Sequence, residues 1–191
     1  MSGALVGFVF LGLFSPGPNV ILLTASGARF GFRRTLPHLA GVVLGVGIVA
    51  GITGAGIGAL LLAHPGLTLG LKIGAALWIL IMARNLWLSA PGQGRNGARP
   101  MTFVEAVLFQ WINPKIWVVA LAATAFVTEL APLAQAASLG LTFSGTNLFV
   151  CLFWSATGAA LSALLSDPGR WQVFARIMAA LLAMFAGLVF V

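Results

Sequence analysis

Two short stretches hold the residues of this chain most able to do chemistry. One is Ser15-Pro16-Gly17-Pro18-Asn19; the other is Gln110 followed by Asn113-Pro114-Lys115. Each sets hydrogen-bonding side chains beside proline within an apolar run. Proline inside a helix removes a backbone donor and clashes with the preceding turn, at a cost of about 3 kcal/mol. In lipid the freed carbonyls must also find partners, so such breaks persist where they line a cavity or pack inside protein. Ser15 before Pro16 and Asn113 before Pro114 read as N-caps followed by proline at the first helical position. Each break is thus expected to start a new half-helix, whose free N–H groups carry partial positive charge and suit a carboxylate. Lys115 has two readings: a full charge for that carboxylate, or a donor that caps the carbonyls of the first break and locks the halves together.

Asn147, flanked by Thr142, Ser144 and Thr146, could add neutral hydrogen bonds to a solute, and Thr24 and Ser26 follow the first break. Hydroxyls in membrane helices more often bond backbone. Trp111 and Trp117 flank the second break and are candidates to line the site; the other tryptophans read as packing or interfacial residues. Glu105, Glu129 and Asp167 all fall near the ends of apolar runs. A site for a cationic solute would ordinarily need a carboxylate at depth, so cationic cargo is disfavoured. His38 and His64 read as interfacial, Cys151 as a buried thiol without a disulfide partner. With neither a Ser/His/Asp set nor a Cys/His cluster legible, no enzymatic activity, metal or cofactor is expected.

These residues need a bilayer to position them. Sixty per cent of the chain is apolar and 7% is charged, against about a quarter charged in soluble domains, and mean hydropathy is +1.07. The net charge of +7 does not imply nucleic acid, because the basic residues lie between apolar runs rather than on one polar face. A crossing takes about 20 apolar residues, and the interruptions leave six spans, roughly 3–28, 36–63, 67–89, 102–128, 133–165 and 171–190. The first run lacks the basic start of a signal peptide and is kept as a span.

The expectation is a single all-α transmembrane domain over 1–191, with repeat A at about 1–90, a cytoplasmic linker at about 91–100 and repeat B at about 101–191. Lys72-Ile73-Gly74-Ala75-Ala76-Leu77 after His64-Pro65-Gly66 matches Arg176-Ile177-Met178-Ala179-Ala180-Leu181 after Asp167-Pro168-Gly169. Three spans per repeat invert the second repeat relative to the first, so the broken first spans would face each other. Basic residues follow spans 1, 3 and 5 (Arg29, Arg33, Arg34, Arg84, Arg95, Arg99, Arg170), which places those connections in the cytoplasm and both termini on the other side. Gly41/Gly45, Gly47/Gly51 and Gly54/Gly58 give small-xxx-small spacing suited to close helix contact.

Ser15-Pro16-Gly17-Pro18-Asn19, with Ala25-Ser26-Gly27 and Gly31-Phe32-Arg33-Arg34, resembles the first-helix signature of LysE/RhtB-type amino-acid exporters. Phe109-Gln110-Trp111-Ile112-Asn113-Pro114-Lys115 resembles that family's Asn-Pro-Lys motif, and Lys72–Leu77 its third-helix pattern. The resemblance covers essentially the whole chain. It implies a bacterial inner-membrane exporter of six helices, driven by the proton gradient. Many members carry an acid after a Gly-x-x-x-Gly in the second helix; here Val46 follows Gly45, which puts a proton path through that position in doubt. This departure and the Phe-Gln-Trp lead resemble the cysteine and O-acetylserine branch. Export of a small neutral or zwitterionic amino acid by alternating access is the expectation, with room for a homo-oligomer; a passive channel or a non-transporting scaffold are the alternatives.

Overall fold

The computed structural model describes residues 2–57, 63–90 and 99–190. The central stretch of the expected linker, 91–98, and Gly58 lie outside the described residues. The helices are α1 (Gly3–Phe14), α2 (Pro18–Phe30), α3 (Phe32–Gly54), α4 (Pro65–Trp87), α5 (Phe103–Ile112), α6 (Pro114–Ala123), α7 (Pro132–Leu161) and α8 (Pro168–Leu188). Four of them are long and apolar enough to cross a membrane alone. The bent pairs α1–α2 (61°) and α5–α6, the latter extended to Phe126 (65°), are each long and apolar enough to count as one broken span, for up to six among the described residues.

The boundaries follow local chemistry. Gly31 at φ 81° ends α2, a backbone conformation that costs glycine nothing. The next helix therefore starts at Phe32, earlier than the expected 36, and takes Arg33, Arg34 and Pro37 into its first turns. Thr102 and Glu105 form a reciprocal capping box at the start of α5. Asp167 caps α8 by accepting from the Arg170 amide at 2.9 Å.

α3 packs along α7, α2 along α7 and α5 along α3, while α4 pairs with α8, and that pair joins the rest through α8 against α2 and α4 against α5. Close packing in a bilayer depends on small residues, because lipid tails leave little hydrophobic drive between helices. A Cβ on Gly41 would strike the Phe103 carbonyl, and one on Gly45 would meet Gln110 and Val107 of α5. Gly47, Gly51 and Gly54 face α7 instead, so the glycine spacing read from the sequence serves two neighbours. α2 and α7 cross at Gly27 and Gly158, where a Cβ on either would strike the other helix's backbone. The paired Ile-x-Ala-Ala-Leu segments bury Ala75, Ala76 and Ala179 in the α4–α8 cluster. Outward residues such as Leu69, Leu77, Ile81, Leu141, Phe149 and Val173 stay exposed, as a lipid-facing surface requires.

Candidate functional site

The two breaks touch. Lys115 Nζ donates to the Ser15 carbonyl at 2.5 Å and to Ser15 Oγ at 3.0 Å, with the Pro16 carbonyl at 3.4 Å. Across the same junction Asn19 Nδ2 donates to Gln110 Oε1 at 2.8 Å, and Gln110 Nε2 returns a bond to Asn19 Oδ1 at 3.2 Å. The residue after the first proline of each second half-helix thus reaches into the opposite break. Asn19 follows Pro18 and grips α5; Lys115 follows Pro114 and grips the end of α1.

This geometry corrects the expected cap at Ser15. The residue that precedes α2 is Gly17, and Pro18, not Pro16, takes the first helical position. Two prolines in succession push the helix start two residues on. Pro16 has no N–H for the Gly12 carbonyl, and the Ser15 hydroxyl bonds that carbonyl at 2.9 Å instead. Asn113 does precede α6 with Pro114 at its first position, but its side chain makes no cap bond. Its Nδ2 lies 3.4 Å from Gln110 Oε1. Trp117 Nε1 serves the second break by donating to the Trp111 carbonyl at 2.8 Å, and neither tryptophan is among the residues lining the central cavity. Ser15 and Pro16 are exposed, Gly17, Pro18 and Asn113 are buried, and Pro114 and Lys115 are half-buried.

Behind the junction is a narrow cavity of about 10 Å³, lined in part by Asn19, Asn113, Lys115, Asn147, Cys151 and Trp154. That volume is at the limit for one water. Three buried polar atoms on its lining residues have no partner among the described residues: Asn113 Oδ1, Asn147 Nδ2 and Trp154 Nε1. An acceptor and two donors can between them engage both ends of a zwitterion. The sequence reading named Asn147 but missed Trp154, although 147, 150, 151 and 154 share one helical face at i, i+3, i+4 and i+7 spacing. Gln110 is fully buried and spent on Asn19 and on the Ala106 carbonyl; it is a strut between half-helices and is not among the residues lining the central cavity. Thr24 is turned back onto the Val20 carbonyl and Ser26 bonds Thr35, so neither is free for a solute.

A second, larger cavity of about 400 Å³ opens at the end of the bundle that carries Arg29 and Arg99. His38 is in its wall with 2% exposure, not at an interface as expected, because the early start of α3 carries it into the second turn. Arg99 and Glu105 close a two-bonded ion pair there, at 2.6 and 2.7 Å. Hydrogen bonding and charge from Glu105 raise the Arg99 guanidinium above its ordinary pKa.

Comparison with known proteins bears on this arrangement. The family described as LysE type translocator matches residues 10–191. A protein of Escherichia coli K12 named cysteine/O-acetylserine efflux protein is 30% identical over 170 residues, covering 85% of each chain. Its namesakes in Shigella sonnei and in Escherichia coli O1:K1 are 30% and 29% identical over the same length and share. No solved structure matches.

Proposed function

The chain belongs to the LysE-type translocator family and is a multi-pass membrane protein, and from that premise we propose that it exports a small neutral or zwitterionic amino acid, of the cysteine or O-acetylserine kind, across a bacterial inner membrane. The observation that carries this reading is the junction of the two breaks, with Asn113, Lys115 and Asn147 around a narrow cavity whose lining residues carry unpartnered donors and an acceptor. The efflux proteins it is similar to supply the class of solute.

The halves work as inverted repeats, with α1–α2 answering α5–α6, α3 answering α7 and α4 answering α8. Matched bends of 61° and 65° support that pairing. The basic connections support a topology with Arg29 and Arg99 in the cytoplasm and both termini outside. The central cavity is too small for any amino acid in this conformation, while the larger one is open on the cytoplasmic side. Loading therefore requires the junction to loosen: the solute's carboxylate draws Lys115 away from the Ser15 and Pro16 carbonyls, and the solute's amino group takes Asn113 Oδ1. Rocking of one repeat against the other then exposes the solute outside. Lys115 is the one charged residue lining the central cavity, so coupling to the proton gradient runs through it. A central cavity of only about 10 Å³ supports a carrier over a pore.

The test is uptake of radiolabelled cysteine, kept reduced, into everted membrane vesicles containing the chain. Saturable uptake that an uncoupler abolishes is expected. Linear flux indifferent to uncoupler would establish a channel, and no solute-dependent flux across a panel of neutral amino acids would leave a scaffold.

A further inference from the structure

The large cavity holds polar groups that the central junction does not use. His38 is 2% exposed, and both of its ring nitrogens lack a partner among the described residues. Trp78 Nε1 and Arg29 Nε are buried and unpartnered in the same sense, and all three residues line this cavity. A buried polar atom left without a hydrogen bond costs about 1–3 kcal/mol. Three such side chains around one space of about 400 Å³, within the roughly 300–1,000 Å³ typical of ligand pockets, mark a site built for something that binds there.

The chemistry of the vacant groups sets the sign of the ligand. Indole N–H and guanidinium only donate, and imidazole always has at least one donor. The one carboxylate in the lining, Glu105, is committed to Arg99 and to the Thr102 amide at 2.8 Å. Ser26 is committed to Thr35. The missing partner is thus an acceptor, and a negatively charged one satisfies Arg29 best. Along α2 the lining residues Leu22, Ala25, Ser26 and Arg29 share one helical face with Asn19 of the central cavity, so the two cavities lie at different depths along the same helix.

We propose that this cavity is a second binding site, an antechamber in which the carboxylate of an amino-acid-sized solute docks on Arg29, His38 and Trp78 before it reaches Lys115. Only the identity of the solute rests on the export reading; the anion site stands on the cavity itself.

The test uses the full chain in membranes, with Cys151→Ala and a single new thiol in the cavity wall, Ala25→Cys or, should that variant fail to insert, Met82→Cys. Labelling rates are taken for an anionic and a cationic methanethiosulfonate, each relative to its rate on free 2-mercaptoethanol. A built anion site should favour the anionic reagent by about tenfold or more, the range expected of focused fields in a cleft. Arg29→Gln should bring the ratio towards one. Propionate should slow labelling while propionamide, its uncharged counterpart, does not. Equal rates for the two reagents, or equal effects of propionate and propionamide, would overturn the proposal; anion preference without propionate protection would reduce the cavity to a charged vestibule and overturn it too. Labelling needs no turnover, so a chain that keeps this signature but shows no uptake would sink the export reading alone.

Discussion

Replacing Lys115 by methionine keeps an unbranched side chain one atom shorter and removes its charge and donors, so it tests what the ammonium does at the junction. Two of its contacts, to the Ser15 carbonyl at 2.5 Å and Ser15 Oγ at 3.0 Å, are well formed, and the third at 3.4 Å is marginal. Hydrogen bonds to charged groups contribute about 1.5–3 kcal/mol each. Measured side-chain bonds in membrane proteins average nearer 0.6 kcal/mol, because the unfolded chain in the bilayer also finds partners. Lys115 is half-buried, which argues for the lower part of that range, and the net loss comes to about 1–3 kcal/mol. For a chain of this size that lowers the melting temperature by about 2–12 °C. The assay is thermal unfolding of purified protein in detergent, run beside uptake into everted vesicles. Lys115→Met should lose both stability and uptake. Lys115→Arg keeps the charge but brings a planar, bulkier head to a cavity of only about 10 Å³, so it should recover more stability than transport. Wild-type melting and wild-type uptake in Lys115→Met would refute the role given to this residue.

Other perturbations read the scaffold around the junction. Gly27→Ala, whose Cβ would run into the Ser155 carbonyl and lie 3.0 Å from the Ala159 nitrogen, should destabilise by about 1–3 kcal/mol through overpacking, measured by thermal unfolding. Gly145→Ala meets nothing within 4 Å and should stabilise α7 by about 0.5–1 kcal/mol; destabilisation would contradict that packing. A double-mutant cycle on Asn19→Ala and Gln110→Ala should give a coupling of about 0.6–1.7 kcal/mol, and additive losses would deny the paired amides. Glu105→Gln should leave the melting temperature nearly unchanged, because its partner Arg99 is solvated, and a marked drop would refute that reading.

Much of this arrangement was written in residue type. Proline in apolar runs located both breaks, glycine spacing located the close helix contacts, and the polar residues beside the prolines marked the junction. What sequence could not supply was register. Ser15 looked like a cap because serine before proline usually is one; the second proline, Pro18, moved the helix start and turned Ser15 into an acceptor for Lys115. Gln110 looked like a solute ligand, yet its distance from Asn19 in the chain hid that the two amides would satisfy each other. His38 looked interfacial because the second span was taken to start at 36, whereas Gly31 starts it at Phe32. The antechamber depends on how α4 brings Trp78 against α2, which no local pattern along either helix encodes.

The most direct measurement is saturable cysteine uptake into everted vesicles by Asn113→Ala and Asn147→Ala, each inserted at the wild-type level. These side chains line the central cavity, carry its unpartnered acceptor and one of its donors, and make no strong contact whose loss would unfold the protein. A solute held between the two breaks requires both variants to lose uptake while keeping their melting temperature. Wild-type uptake by both would place the solute's path elsewhere.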